Sequence, residues 1–157
     1  MSYKAGPLYL AAAHKSIGYT APLVDGSAIR VVGSYEMGAI KFTGFYQQVS
    51  DNSGTTGADR TTLGFGAAFK SGNNTFKAQW YQADAADNAA TANGGDQLSF
   101  GIDHNLSKDT VVYATYAKSS NDAAGTFGIG GNGHGATATP AAGQDASGIS
   151  LGMRMKF

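Results

Sequence analysis

Strict two-residue alternation of apolar and polar side chains is the feature that most constrains the fold of this 157-residue chain. It is clearest in the last ten residues, where Ile149, Leu151, Met153, Met155 and Phe157 alternate with serine, glycine, arginine and lysine. Successive side chains of a β-strand point to opposite faces of its sheet, so this pattern predicts a strand with one apolar and one polar face. No stretch shows the 3.6-residue stripe of an amphipathic helix. We therefore expect an all-β fold.

The same period predicts strands along the whole of the single domain formed by residues 1–157. Eight strands are expected, at Gly6–His14, Ala28–Met37, Ala39–Gln48, Arg60–Lys70, Thr75–Gln82, Gln97–Leu106, Thr110–Lys118 and Ser147–Phe157. The facing of the seventh strand is ambiguous, because Val111 and Val112 are adjacent and both apolar. Long and short connections alternate, and short ones such as Ser71–Asn74 contain turn-forming residues. All long connections therefore lie at one end, which is typical of an antiparallel up-and-down transmembrane β-barrel.

The two faces of the predicted sheet differ in charge. The face expected to contact lipid has no charged residue and contains Ile29, Val31, Tyr35, Ile40, Phe42, Tyr46, Leu63, Phe65, Phe69, Phe76, Trp80, Leu98, Phe100 and Ile102. The face expected to point inward carries most of the basic residues: Arg30, Lys41, Arg60, Lys70, Lys77, Lys118, Arg154 and Lys156. The acids predicted beside them are Glu36 and Asp103, and the other aspartates lie in connections or at strand ends.

This distribution of charge bears on the size of the barrel. The interior of a closed eight-stranded barrel is just filled by side chains. Eight cations and two anions inside it would leave buried charges without partners, each at a cost of several kcal/mol. Small residues on the same face, including Gly64, Gly66, Ala68, Gly101 and Gly152, would leave voids. We therefore predict that the eight strands belong to a larger barrel with a water-filled interior.

Composition excludes several other classes of protein. Charged residues make up 14% of the chain, below the ~25% of ordinary soluble domains. The formal net charge is zero, whereas a nucleic-acid-binding domain usually carries an excess of basic residues. The hydrophobic content of 42% is too high for a disordered chain. Cysteine is absent, so disulfides and thiolate metal sites are excluded.

Three segments resemble the general porins of Gram-negative outer membranes, in particular the trimeric porins of beta-proteobacteria. They are Gly-Ile-Ser-Leu-Gly-Met-Arg-Met-Lys-Phe at 148–157, Asn-Leu-Ser-Lys-Asp-Thr-Val-Val-Tyr-Ala-Thr-Tyr-Ala at 105–117 and Ala-Ile-Lys-Phe-Thr-Gly-Phe-Tyr-Gln-Gln at 39–48. The resemblance covers the second half of such a porin, whose barrel has sixteen strands and whose constriction loop lies in the first half. It implies an integral outer-membrane location, contact with outer-membrane lipid, a homotrimer and no cofactor. The alternating tail ending in Phe157 resembles the signal that is read by the barrel-assembly machinery.

The function that we expect is passive diffusion of small hydrophilic solutes and ions through a channel. A positively lined channel concentrates anions, so we expect an anion preference. The candidate pore-lining residues are Arg30, Lys41, Arg60, Lys77, Lys118 and Arg154.

Two alternatives remain open, an outer-membrane barrel enzyme and a small structural or adhesin-type β-barrel without an open pore. Neither catalytic nor metal-binding residues are predicted, because His14, His104 and His134 are widely separated and lack metal-ligand spacing. One of these histidines is expected to face lipid. The Gly-, Ala- and Thr-rich segment 125–143 is expected to be a mobile surface loop.

Overall fold

The computed structural model describes residues 1–130 and 139–157, and these form one antiparallel sheet of nine strands. The strands are β1 (Ser2–Ala5), β2 (Leu8–Ile17), β3 (Gly26–Met37), β4 (Ile40–Ser50), β5 (Arg60–Ser71), β6 (Asn74–Ala83), β7 (Gly95–Asn105), β8 (Thr110–Asn121) and β9 (Ala146–Met155). Each strand pairs with its neighbour in the sequence, and β1 and β9 form the two edges of the open sheet. The all-β, antiparallel up-and-down architecture predicted from the sequence is thus confirmed.

The number of strands differs from the eight that were predicted. The predicted first strand, Gly6–His14, begins in what is a tight turn at Gly6 and Pro7, and the short strand β1 precedes that turn. Gly6 has a φ of 53°, a left-handed conformation that glycine adopts without steric cost. A glycine followed by a proline therefore ends one strand here and allows the next to begin.

Tight turns and long connections lie at opposite ends of the sheet, as the sequence predicted. Three of the hairpin turns have two central residues, and the first of these is Gly6, Gly38 or Gly72, with φ between 53° and 60°. A positive φ at the first central position only is the mark of a type II′ turn, whose twist matches that of the flanking strands. We call this end the short-turn end. The connections at the other end span residues 18–25, 51–59, 84–94 and 122–145, and we call it the long-loop end.

The register places most large apolar side chains on one face and most charged side chains on the other. Cross-strand rows such as Val31–Tyr46–Leu63 and Phe69–Phe76–Ile102 share the face that we call the apolar face. Rows such as Arg30–Gln47–Thr62 share the opposite face, which we call the polar face. Every residue predicted to contact lipid lies on the apolar face.

The sheet has no hydrophobic core of its own. Among residues 1–130 and 139–157 no hydrophobic side chain is buried. Large apolar side chains are instead exposed on the apolar face: Phe65 is 60% exposed, and Ile149 and Leu151 are 75% and 74% exposed. Water-soluble monomers rarely expose contiguous apolar patches larger than a few hundred Å², so this face requires an apolar environment. Among the described residues, no helix is long and apolar enough to cross a membrane.

The apolar belt shifts along the strands from one side of the sheet to the other. On β3 it extends from Ile29 to Met37, whereas on β9 it extends from Ile149 to Met155, nearer the short-turn end in the hydrogen-bonded register. The belt is thus about 20–26 Å long along each strand at ~3.3 Å per residue. Strands that are tilted relative to the membrane normal produce such a stepped belt, and strands of transmembrane barrels are tilted by ~35–45°.

Candidate functional site

The candidate site is the polar face, on which strand residues carry far more positive than negative charge. Its cations in the strands are Lys4, Lys15, Arg30, Lys41, Arg60, Lys70, Lys77 and Arg154. The acids on the same face of the strands are Glu36 and Asp103. Lys4 and Lys15 were not among the inward-facing residues expected from the sequence. Lys15 follows the predicted end of the first strand at His14, whereas β2 extends three residues further, to Ile17. Residues 12–17, Ala-Ala-His-Lys-Ser-Ile, do not alternate between apolar and polar side chains, so the sequence pattern did not extend the strand.

Lys118 is the one predicted pore-lining residue that does not lie on the polar face. The register pairs it with Leu98 on β7 and with Ser147 on β9, which places it on the apolar face near the long-loop end. The reason is the facing of β8: Val112, not Val111, shares the face of Ile102 and Leu151. The other five candidates, Arg30, Lys41, Arg60, Lys77 and Arg154, do share the polar face.

Lys118 has an acidic partner beside the sheet. Its Nζ lies 3.1 Å from Oδ2 of Asp145, and both side chains are about half exposed. The backbone N–H of Asn121 also donates to Asp145. These two donors, Lys118 first, hold the pKa of the Asp145 carboxyl below its usual value.

A cluster of charged side chains lies on the polar face toward the short-turn end. The Nζ of Lys77 donates to Oδ2 of Asp103 at 2.6 Å, and Arg154 donates to the same oxygen from across β8. The guanidinium of Arg154 lies 5.1 Å from the ring centroid of Tyr113, within the range of a cation–π contact. Asp103 is only 18% exposed, whereas Lys77 and Arg154 are 41% and 58% exposed. The cluster therefore has a net charge of +1 and presents its cations to the solvent.

A groove of about 760 Å³ runs along this cluster. Lys77, Asp103, Tyr113 and Arg154 line it on the sheet, and Ile129 from the last long connection also lines it. Nearby, Lys41 pairs across β3 and β4 with Glu36 at 3.1 Å, with both side chains largely exposed. Exposed pairs of this kind contribute ~0–1 kcal/mol to stability.

The two arginines nearer the long-loop end have amide partners in place of carboxylates. The Nε of Arg30 donates to Oε1 of Gln47 at 2.8 Å, and its guanidinium lies 5.5 Å from the ring centroid of Phe45. Arg60 donates through Nη2 to Oδ1 of Asn93 at 2.7 Å. Within residues 1–130 and 139–157, neither guanidinium has a carboxylate within ion-pair distance. Both positive charges are consequently uncompensated by direct ion pairs.

Two glycines of the polar face, Gly64 and Gly152, are covered by tyrosine rings. The ring of Tyr81 lies over Gly64, so close that a Cβ at Gly64 would overlap it. The ring of Tyr113 covers Gly152 in the same way. The rings of Tyr81 and Tyr113 thus lie against the sheet and present aromatic surface on the polar face.

The histidines and the terminal segment complete the candidate positions. His14 and His104 both lie on the apolar face, and His104 contacts Asn74 through Nδ1 at 2.8 Å. His134 lies outside the described residues. Within them, no group of three metal-ligating side chains occurs.

The apolar residues of the terminal segment, Ile149, Leu151, Met153 and Met155, are exposed on the apolar face of β9, and Phe157 follows the end of that strand.

Comparison with known proteins relates this sheet to outer-membrane barrels. The sequence model of the Gram-negative porin family matches residues 1–124. Among solved structures, the fold matches in-vitro folded OmpT, an outer membrane protein of Vibrio cholerae, with a TM-score of 0.70 and 16% sequence identity. The match covers 98% of this chain and 53% of the OmpT chain, so the sheet spans about half of that protein. No curated protein matches the sequence significantly.

Proposed function

The chain belongs to the Gram-negative porin family and is integral to the outer membrane, and we propose that it forms part of the wall of a water-filled channel. Small hydrophilic solutes and ions would diffuse passively through this channel, with a preference for anions. The polar face would line the water, and the apolar face would contact outer-membrane lipid.

The observation that carries this proposal is the surplus of positive charge on the polar face. Glu36 and Asp103 each form ion pairs there, yet Arg30 and Arg60 have no acidic partner among the described residues. Each additional fixed cation along a water-filled path raises the local concentration of anions and lowers that of cations. Exposed phenylalanine and leucine side chains on the opposite face favour contact with lipid over contact with water.

The open edges of the sheet support a larger barrel. Unpaired backbone groups in hydrocarbon cost several kcal/mol each, so both edges need strand partners in the membrane. Because all pairings are antiparallel, β1 and β9 run in the same direction. An antiparallel barrel closes only with an even number of strands, so the nine require an odd number of further strands. Seven would complete the sixteen-strand barrel of general porins.

We extend the proposal to the partners and chemistry of the assembled protein. A homotrimer and insertion by the barrel-assembly machinery agree with the family and with the exposed apolar tail of β9. We propose no catalytic activity, since His14 and His104 point away from the polar face and cannot act there as general bases.

Conductance in planar bilayers under a salt gradient tests the channel and its ion preference. We expect wild-type protein to give a reversal potential of the sign that anion preference produces. Replacement of Arg30 and Lys77 by glutamate should move the reversal potential toward cation preference, because it replaces two positive charges of the polar face by negative ones. Lys118→Glu is the control, since Lys118 lies on the apolar face and its charge change equals that of either single replacement, Arg30→Glu or Lys77→Glu, with which it is compared. An absence of conductance, or an equal shift in the control, would contradict the proposal.

A further inference from the structure

Aromatic side chains line a pocket in the middle of the polar face, away from the cluster around Asp103. The pocket has a volume of about 360 Å³, which lies within the ~300–1,000 Å³ range of small-molecule sites. Tyr9 on β2 contributes one ring, and Phe45 on β4 and Tyr81 on β6 contribute two more. The register places all three side chains on the polar face. We call this site the aromatic pocket.

The three rings of the aromatic pocket differ in their neighbours. Phe45 and Tyr81 meet nearly edge to face, with ring centroids 5.8 Å apart and an interplanar angle of 78°. The guanidinium of Arg30 lies 5.5 Å from the centroid of Phe45. Tyr9, in contrast, is 39% exposed, and no ring or cation in the described part of the chain stacks on it. Its ring is therefore available to a ligand.

Hydroxyl and amide groups lie between the rings. Ser34, Thr43 and Gln79 belong to the cross-strand row that begins at Tyr9, with Gly66 between Thr43 and Gln79. A Cβ at Gly66 would lie 2.7 Å from Oγ1 of Thr43 and 3.0 Å from Cγ of Gln79, so these two side chains converge over the glycine. The pocket thus offers hydrogen-bonding groups at its centre and ring surface at its sides.

The charge of the aromatic pocket favours a neutral solute. Its lining contains one charged residue, Lys41, whose Nζ lies 3.1 Å from Oε1 of Glu36. An anion would have to compete with this carboxylate, so the pocket differs from the positively charged cluster at Asp103. A flat apolar solute is also a poor fit, because it would cover the hydroxyl and amide groups without giving them hydrogen bonds.

We propose that the aromatic pocket is a binding subsite for a neutral sugar in its ring form. The C–H groups on the faces of a pyranose pack against aromatic rings, and the hydroxyls around its edge bond to the row of hydroxyl and amide groups. The inference rests on the proposed channel function, since the channel brings solutes to the polar face. Binding must be weak, because a channel has to release the solute that it admits.

Saturation-transfer NMR on the detergent-solubilised protein tests the subsite without requiring conductance. The probe is methyl glucoside, and an amine-oxide detergent avoids competing sugar headgroups. We expect transfer to the C–H protons of the probe, with a Kd on the order of millimolar. Tyr9→Ala should weaken binding about fivefold or more, because it removes the available ring. Tyr116→Ala is the matched control, since Tyr116 is 41% exposed but lies on the apolar face.

A second variant distinguishes a sugar from other ring-shaped solutes. Thr43→Val replaces one hydroxyl by a methyl group of similar size, so the glucoside should bind about threefold or more weakly. Benzoate, which is flat, anionic and without hydroxyls, should show no transfer that depends on Tyr9. Equal binding of the glucoside by wild type and Tyr9→Ala, or Tyr9-dependent binding of benzoate in preference to the glucoside, would overturn the inference.

Single-channel current separates failure of the subsite from failure of the channel. Methyl glucoside should reduce the wild-type current more than the same concentration of mannitol, an open-chain polyol, and Tyr9→Ala should abolish this difference without changing the ion preference. Conductance that responds equally to both solutes, with no saturation transfer, would overturn the subsite and leave the channel intact. Saturation transfer that depends on Tyr9 in a protein without conductance would support the subsite and refute the channel.

Discussion

Neutralising Asp103 should strengthen the anion preference of the channel. Asp103 binds Lys77 and Arg154 through one oxygen, so their cationic groups lie within about 5 Å of each other. Asp103→Asn raises the net charge of this cluster from +1 to +2 and leaves a similar side-chain volume. The repulsion between the two cations, about 1–3 kcal/mol for effective dielectric constants of ~80 to ~20, should push both side chains farther into the solvent.

The size of the effect on ions follows from the same geometry. One additional charge about 5 Å from the ion path contributes ~0.8 kcal/mol in water, which screening at physiological salt reduces to ~0.4 kcal/mol. The local concentration of a monovalent anion should thus rise about twofold, with a comparable fall for cations. The ratio of anion to cation permeability should therefore increase about two- to fourfold, measured from the reversal potential in a salt gradient.

A matched control removes an acid elsewhere. Asp109 pairs with Lys108 at 3.9 Å in a tight turn outside the strands, so Asp109→Asn changes the total charge equally without altering the polar face. Circular dichroism would establish that both variants retain their β-structure. A reversal potential that is unchanged in Asp103→Asn, or shifted equally in both variants, would refute the assignment of the polar face to the ion path.

Two further predictions concern stability. Gly64→Ala should destabilise the protein by about 1–3 kcal/mol in urea unfolding, because the new methyl group must displace the ring that covers it; Gly44→Ala, on the adjacent strand with nothing within 4 Å of the added Cβ, should be neutral or slightly stabilising. Equal effects would show that the ring does not cover Gly64. Because of the Lys118–Asp145 pair, the free energy of unfolding should decrease at low pH. Because the pKa of Asp145 is lowered in the folded protein, its contribution is fully present above the ordinary aspartate value of ~3.9 and is lost as the pH falls through the lower folded value. Asp145→Asn should remove this part of the acid dependence, and an unchanged pH profile would contradict it.

The faces of most strands were predictable from the sequence because apolar and polar residues alternate over most of their length. On β5, for example, Leu63, Phe65 and Phe69 could be assigned to one face and Arg60 to the other, and the register agrees. The alternation holds because each face has a different environment, so that each position admits mainly one class of side chain.

The alternation fails where both faces admit apolar residues. Val111 lies on the polar face and Val112 on the apolar face. The pair therefore does not show which side chains of β8 face the polar side, and the predicted face of Lys118 depended on that choice. Only the pairing with β7 and β9 determines which face each side chain of β8 shares.

The anchoring of the last connection was not predictable from local sequence. Its glycines and alanines have the composition of a flexible loop, and its contacts, Phe127 with Arg60 and Ala124 with Ala92, join residues more than thirty positions apart. Such contacts depend on the tertiary arrangement of the sheet. The position of Lys15 likewise depends on pairing, because residues 12–17 do not alternate between apolar and polar side chains and only the register with β3 extends β2 to Ile17.

Pairing between sequence neighbours only, from β1 to β9, also affects how this sheet can form. Each new strand is brought to its partner by a chain segment of modest length, so the entropy lost on closing each loop remains small. The three glycine turns set the alignment of their hairpins locally, before distant strands have met. The sheet can therefore grow by adding one hairpin at a time, with a single growing edge to protect at each step.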